Sequence, residues 1–255
     1  MSAPRLASLS TTELAALVAP GQPPLVVLVP CGSVEPHGPH LPLDTDTLIS
    51  EAAIARAAKL LSVHCAVAVA PAVPYGVTDY ARGFAGAISI PASTLTLYLR
   101  AIVDGLHAFG AQHVCLVNNH LEPAHDGAVR AAIRDLPRQG ASVACPLDRR
   151  WARRLSEEFR RGECHAGRYE TSIVLAAWPE RLRLPDEQRR ELPEIPISLS
   201  QQIKAGVHDF VDMGLVDAYA GAPALASIEE GHAQLDLLAE MIATEVRESM
   251  GFATS

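Results

Sequence analysis

Two short segments of this 255-residue sequence each place a carboxylate and an imidazole two residues apart. The first segment contains Glu35 and His37, and the second contains His120 and Glu122. In extended backbone, residues i and i+2 point to the same side, so each pair can present two ligands to one cavity. Asp46 follows the first pair and can complete the cluster as a bridging carboxylate. The spacing therefore predicts a metal site.

The ligand types of this predicted site indicate which metals it would bind. Imidazole and carboxylate together suit zinc, manganese or iron, whereas calcium and magnesium prefer oxygen ligands alone. Three carboxylates and a bridging hydroxide match the charge of two divalent cations, and a single cation would leave costly buried negative charge. One such pair in a loop is usually ordinary surface polarity, but two pairs after two apolar runs favour a dinuclear site.

The chain around these pairs alternates between strand-like and helix-like patterns. Continuous apolar runs predict strands at 25–30, 64–70, 113–117 and 141–144. Apolar positions at helical spacing predict helices at 47–61, 93–109, 123–136 and 228–247. This alternation predicts an α/β fold with helices on both faces of a mostly parallel sheet. The two ligand pairs follow the first and third strands, at the edge where ligands gather in such sheets.

Other local patterns predict the helix ends and the connecting segments. Asp44 and Ser93 are good N-cap types for the helices that follow them. The run at 151–161, rich in Arg and Glu, predicts a solvated helix, and the proline-rich run at 182–196 predicts irregular chain. Because there is no repeat and no Gly/Ser-rich linker, we expect one domain over 1–255.

Composition and charge argue against several classes of partner. The formal net charge is −8 and there is no block rich in Lys and Arg, which argues against nucleic acid and anionic membranes. The five cysteines form no C-x-x-C pair, and the first residues lack the apolar core of a signal peptide. No apolar run reaches the roughly 18 residues of a membrane span, so we expect a cytoplasmic protein. A hydrophobic content of 49% indicates surface buried between subunits.

A longer pattern around the first ligand pair resembles the signature of the creatininase (creatinine amidohydrolase) family. The pattern is GSVEPHGPHLPLDTD at 32–46. Four further segments are similar to family motifs and extend the resemblance over nearly the whole chain. They are GFAGAIS at 83–89, VNNH at 117–120, HAGRYETS at 165–172 and the glycine- and proline-containing run at 221–231.

The resemblance implies a three-layer α/β/α fold that assembles as a homohexamer and binds two divalent ions of zinc, manganese or iron. The implied ligands are Glu35 and His120 for one metal, His37 and Glu122 for the other, and Asp46 as the bridge. His165 matches a family histidine near the substrate and is the implied proton-transfer residue. Ser33 and Asn118 are expected to orient the ligands.

The resemblance also points to residues that would contact substrate. Glu170 is implied to be either a ligand in some members or a group that supports the ligands. Leu121 stands where the creatinine-hydrolysing members have a tyrosine, and Arg168 stands where many members have an acidic residue. These departures argue against creatinine and favour a carboxylate-bearing amide that pairs with Arg168.

The predicted activity is hydrolysis of a C–N amide bond in a small cyclic or linear amide by a metal-activated hydroxide. Two alternatives stay open. One is a metal-dependent deformylase or peptidase on the same fold, and the other is a catalytically silent metal-binding or assembly protein. Intact residues at all five ligand positions argue against the silent protein. His40 is interpreted as a turn anchor, and His125 as a packing residue or a support for the ligands.

Overall fold

The computed structural model describes residues 3–252, and a parallel β-sheet forms the centre of this region. Four strands lie in the order β2-β1-β3-β4, and every neighbouring pair is parallel. They are β1 (Leu25–Cys31), β2 (Ala66–Val69), β3 (His113–Asn118) and β4 (Ala141–Ala144). The predicted parallel sheet is confirmed, and the four predicted strands are all present with bounds shifted by at most two residues.

The sequences of β1 and β3 explain why these strands occupy the middle of the sheet. Every residue of both strands is buried. A central strand of a parallel sheet is covered on both faces, so it requires a continuous apolar run and cannot alternate with polar residues. The two strands pair in register from Val26 with His113 to Cys31 with Asn118, which brings their carboxyl ends to the same edge.

Helices surround the sheet and connect its strands. In chain order they are α1 (Thr11–Leu17), α2 (Thr45–Leu61), α3 (Ala92–Ala108), α4 (Pro123–Ile133), α5 (Arg149–Ala152), α6 (Glu157–Arg161), α7 (Arg168–Ala177), α8 (Asp186–Arg189), α9 (Leu199–Lys204) and α10 (Ile228–Met250). Short 3₁₀ turns lie at Leu6–Ser8, Pro179–Arg181 and Pro223–Leu225. Among the described residues, no helix is long and apolar enough to cross a membrane.

Two separate hydrophobic clusters divide the helices between the two faces of the sheet. On one face, residues such as Ile49 of α2, Ile173 of α7 and Leu238 of α10 pack together. On the other face, Leu99 of α3 and Val129 of α4 belong to the second cluster. Full burial of each such side chain contributes about 1.5–3 kcal/mol to the hydrophobic stabilisation. The predicted three-layer α/β/α arrangement is therefore confirmed.

The prediction of one solvated helix at 151–161 was wrong. The chain forms two short helices instead, and Ser156 caps the second by accepting a hydrogen bond from the Phe159 N–H. Trp151 and Phe159 are buried, at 4% and 6% exposure, because their apolar rings join the first hydrophobic cluster. Because these two rings are buried, only one side of the segment faces solvent. The abundance of Arg and Glu along this run gave no indication of them.

One predicted N-cap was wrong, and the other occupies the N-cap position without a side-chain capping bond. Helix α3 begins at Ala92 after Pro91, which places Ser93 inside the first turn, where its side chain makes no capping bond. Asp44 does precede α2, but its side chain does not cap the helix. It accepts two hydrogen bonds from Arg181 Nη2, at 2.6 and 2.8 Å, because that guanidinium gives the carboxylate a charged partner.

Candidate metal centre

Polar side chains converge where β1 and β3 end. Glu35 and His37 lie in the loop after β1, Asp46 lies in the first turn of α2, and His120 follows β3 by two residues. All four are at most 3% exposed. His120 Nδ1 lies 3.2 Å from Glu35 Oε1 and 3.1 Å from Asp46 Oδ2. His37 Nε2 lies 3.3 Å from Asp46 Oδ1, so Asp46 faces both histidines.

A fifth residue, Glu170, joins this cluster from the first turn of α7. Its Oε2 lies 3.6 Å from His37 Nε2. Three sets of side chains have their ligand atoms within 4.8 Å of one another and could each hold a metal ion. They are Glu35 with Asp46 and His120, His37 with Asp46 and Glu170, and Glu35 with His37 and His165. Of the two roles expected for Glu170, the geometry favours that of a ligand.

Glu122 lies in the same cavity but belongs to none of these sets. Its two oxygens each accept a backbone N–H at 3.2 Å, one from Asp79 and one from Tyr80. These bonds hold the carboxylate to the loop after β2. Burial raises the pKa of Glu122 to about 7. The pairing of Glu122 with His37 on one metal, expected from the resemblance, stays a prediction.

Each histidine of the centre is oriented by a hydrogen bond to a backbone carbonyl. The contacts are His37 Nδ1 to Glu35 O at 3.1 Å, His120 Nε2 to Val77 O at 2.6 Å, and His165 Nε2 to Pro36 O at 3.0 Å. Because a carbonyl oxygen only accepts, these nitrogens carry the hydrogens. The opposite nitrogen of each neutral ring therefore turns its lone pair toward the carboxylates, as metal-binding histidines do.

This arrangement fits a metal because lone pairs and carboxylates face one another. Within residues 3–252, His37 Nε2 and Asp46 Oδ2 have no hydrogen-bond partner, although both are fully enclosed. Burial disfavours a charged His37, yet the negative charges of Asp46, Glu170 and Glu35 raise its pKa to about 10, so without a metal Nε2 holds a proton that a bound cation would replace. A cation among these groups would satisfy both the lone pairs and the negative charge.

Further residues hold the ligands in place. Thr78 donates a hydrogen bond to Glu35 Oε2, and Asn118 Oδ1 accepts the His120 N–H at 3.0 Å. The expectation that Asn118 orients a ligand segment agrees with this contact. Ser33 Oγ makes no hydrogen bond in the described part of the chain. Thr78 carries no sequence signal, since it lies in an irregular loop far from the ligand motifs.

Two buried residues shape the loop that carries His165 and the start of α7, which carries Glu170. His40 Nε2 donates to Ala166 O at 3.0 Å, which extends its expected role as a turn anchor. Glu158 was missed by the sequence reasoning because it lies in a run of charged residues. Its carboxylate accepts the backbone N–H groups of Arg168, Tyr169 and Ala222 at 2.6–2.9 Å. The start of α7 is therefore tied down by one buried carboxylate.

A cavity of about 400 Å³ opens from the cluster to the surface. Its floor includes Glu35, Asp46, His120, His165 and Glu170. Its walls are mostly apolar, and the predicted substrate residue Leu121 is one of them. In the part of the chain that the structure describes, Arg168 does not line the cavity. Its side chain pairs with Glu230 of α10 instead, because that glutamate lies beside the first turn of α7.

The fold and this centre define a hydrolase-like α/β protein, and comparison with known proteins identifies its family. The model of the creatininase family, described as creatinine amidohydrolase, matches residues 7–246. The match covers nearly the whole chain, so the chain belongs to the creatininase family. The family recognised in the sequence is thereby confirmed, and with it the prediction of an enzyme.

Three relatives show how far the similarity extends. The chain is 32% identical to the mycofactocin precursor peptide peptidase of Mycobacterium tuberculosis (strain CDC 1551 / Oshkosh), over 80% of this chain and 78% of the relative. It is 28% identical to the creatinine amidohydrolase of Pseudomonas putida, over 69% of this chain and 72% of the relative. The solved structure "Creatininase Mn" superposes with a TM-score of 0.73 at 23% identity, covering 97% of this chain and 99% of that one.

Proposed function

We propose that this chain hydrolyses a C–N amide bond in a small cyclic or linear amide, using a dinuclear metal centre. One observation carries the proposal: four buried ligand-type side chains converge on Asp46, which lies at the floor of an open cavity. The cavity volume of about 400 Å³ is in the range of small-molecule sites. Membership of a family described as creatinine amidohydrolase supports the amide as the reacting group.

The proposed metals are two divalent ions of zinc, manganese or iron. Glu35, Asp46 and His120 would hold one ion, and His37, Asp46 and Glu170 would hold the other. Ions bound there would lower the pKa of a water and polarise the amide carbonyl. The similarity to a solved structure named with manganese agrees with this choice of metals.

Two further side chains are placed to move protons. Glu122 lines the cavity, where two backbone N–H groups hold its carboxylate in place and burial raises its pKa to about 7, so we assign it the role of proton carrier for the leaving nitrogen. His165 also lines the cavity, and its anchored Nε2 leaves Nδ1, 3.7 Å from Glu35 Oε1, to accept or pass a proton. The apolar wall at Leu121 limits the water that reaches the amide.

A peptidase acting on a peptide-derived amide is the second candidate function. The specific observation in its favour is the relative named mycofactocin precursor peptide peptidase, to which the chain is 32% identical over most of its length. A peptide bond is itself a C–N amide, so both candidates use the same centre and differ only in what fills the cavity.

Assembly as a homohexamer is also proposed, on the strength of the family resemblance. Exposed apolar side chains such as Leu97 and Tyr98, at 71% and 55% exposure, would be covered by neighbouring subunits. Light scattering coupled to size-exclusion chromatography measures the mass directly, and a monomeric mass would contradict the hexamer without affecting the proposed chemistry.

The proposed function is tested by metal analysis combined with a substrate screen. Protein purified without chelator should contain about two equivalents of transition metal per chain, measured by elemental analysis. The same preparation should hydrolyse members of a panel of cyclic amides, linear amides and short peptides, and a chelator should abolish the activity. Full activity in metal-free protein would overturn the proposal.

A further inference from the structure

Three pairs of adjacent arginines lie on α5, on α6 and in the turn between them. The pairs are Arg149 with Arg150, Arg153 with Arg154, and Arg160 with Arg161. The second member of each pair is ion-paired with glutamate. Arg150 contacts Glu245 at 2.6 Å and Glu248 at 2.8 Å, Arg154 contacts Glu240 at 2.6 Å, and Arg161 contacts Glu163 at 3.2 Å and Glu157 at 3.5 Å.

The first member of each pair behaves differently. Arg149, Arg153 and Arg160 all line the cavity described above, and all three are exposed. Counting residues 3–252 only, none of the three forms an ion pair or a side-chain hydrogen bond. Three positive charges therefore gather at the mouth of one cavity without a compensating carboxylate. We call these three residues the arginine rim.

The walls between the arginine rim and the floor are apolar. They include Leu121, Phe159, Leu199, Ile203 and Phe210. An occupant of this cavity is therefore expected to combine three features: an amide that reaches the floor, an apolar body along the walls, and an anionic group at the mouth. Arginine pairs with carboxylates through two parallel hydrogen bonds, which a neutral group cannot match.

We propose that Arg149, Arg153 and Arg160 recognise a carboxylate on the amide substrate, so that the substrate class is an apolar amide or short peptide with a free carboxylate. The inference rests on the proposed amide hydrolysis for its reacting group, but not for the binding of the carboxylate. It transfers the role expected of Arg168 to three other arginines, because Arg168 is ion-paired with Glu230.

The test uses two ligands that differ only in the charged group. N-acetylphenylalanine carries the carboxylate, and N-acetylphenylalaninamide carries a neutral amide in its place. Calorimetry on metal-loaded protein measures both dissociation constants. We expect the wild type to bind the carboxylate ten- to a hundredfold more tightly, the scale of a charge-assisted hydrogen bond.

The chain supplies a matched control for the variants. The rim variant Arg149→Gln/Arg153→Gln/Arg160→Gln should lose the preference for the carboxylate while its affinity for the neutral amide stays unchanged. The control variant Arg150→Gln/Arg154→Gln/Arg161→Gln removes the same number of charges from the same segment and should keep the preference. If the control is too unstable to purify, the adjacent pair Arg153→Gln and Arg154→Gln provides the same comparison with one charge each.

The outcomes separate this inference from the proposed function. Equal wild-type affinity for the two ligands would overturn the inference. A preference for the carboxylate that survives in the rim variant would also overturn the inference, because the metals alone would then account for that preference. Hydrolysis is assayed in parallel with two longer compounds: an N-acetylated dipeptide that ends in phenylalanine, and the same dipeptide with a neutral carboxamide in place of its carboxylate. If the preference depends on the rim while no amide is hydrolysed, the proposed function fails and the carboxylate site stands.

Discussion

The floor and the mouth of the cavity are built in opposite ways. At the floor, Glu35, Asp46 and His120 are almost fully buried, and the His120 ring is oriented by a backbone carbonyl. At the mouth, the arginine rim stands on two helices of four and five residues and in the turn between them, with its side chains in solvent.

The difference between the two regions separates their contributions to function. A buried group with fixed geometry has no alternative partner, so replacing it removes the chemistry that depends on it. The electric field of an exposed charge is screened by salt and overlaps with the fields of neighbouring charges. Replacing one such charge therefore changes the affinity only partly. Substitutions at the floor should therefore be close to all-or-none, and substitutions at the rim should be graded.

The largest expected effect is that of Asp46→Asn. Because Asp46 belongs to two of the three candidate metal sets, the variant should lose metal from both positions and at least about a hundredfold in kcat/KM. Elemental analysis and the amide assay measure the two losses. Asp44→Asn is the matched control: it removes a partly exposed pair with Arg181 that contributes at most about 1 kcal/mol, and it should retain both metals. Equal metal loss in both variants would contradict the assignment of Asp46.

The next effect distinguishes two glutamates of the same cavity. Glu170→Gln should lower the metal content, because Glu170 lies with His37 and Asp46. Glu122→Gln should keep the metals and lower kcat by about a hundredfold or more, the scale of a lost general acid or base. Elemental analysis and steady-state kinetics on both proteins make the comparison. Loss of metal from Glu122→Gln would return Glu122 to the ligand role that the resemblance implied.

His165→Ala should lower kcat by about a hundredfold and leave the metal content unchanged, since His165 is proposed to pass protons from Nδ1. Its place in a third set with Glu35 and His37 gives the competing outcome. If elemental analysis finds one metal missing, His165 is a ligand and Glu122 becomes the principal proton carrier.

The smallest effect concerns His113, a buried histidine at the end of β3 opposite the metal centre. Its pKa is lowered, whereas the pKa of His37 is raised. Burial lowers the pKa of His113 to about 4 from an ordinary 6.5. A hydrogen bond to the Gln139 carbonyl opposes this shift, and the positive charge of His107 adds to it. The unfolded chain therefore binds the proton first as the pH falls. The stability that a neutral His113 contributes is complete above pH 6.5 and is lost as the pH falls toward 4, by about 3 kcal/mol at most.

Urea denaturation at pH 7.5 and pH 5 measures this loss. The variant His113→Gln cannot titrate, so its free energy of unfolding should fall less between the two pH values than that of the wild type. Other buried histidines titrate in both proteins and cancel in the difference. An identical pH dependence in the two proteins would show that His113 does not titrate as its burial requires.

The amino-acid sequence by itself determined the elements that depend on neighbours along the chain. The apolar runs of β1 and β3 predict buried parallel strands, and the spacing of Glu35, His37 and Asp46 predicts a ligand cluster after the first of them. The strands are confirmed and the three side chains do lie close together, because alternation in extended chain and burial of apolar runs are local properties. That these side chains bind metal stays a prediction. His120 follows by the same reasoning after the second strand.

Tertiary structure alone decided which distant groups complete the site. Glu170 is brought to His37 by the packing of α7 against α2, and Glu122 is held by two N–H groups of the loop after β2. The same holds for four of the arginines: Arg150 and Arg154 are ion-paired with glutamates of α10, whereas their neighbours Arg149 and Arg153 line the cavity. Partners far apart in sequence are set by packing, and no local pattern encodes them.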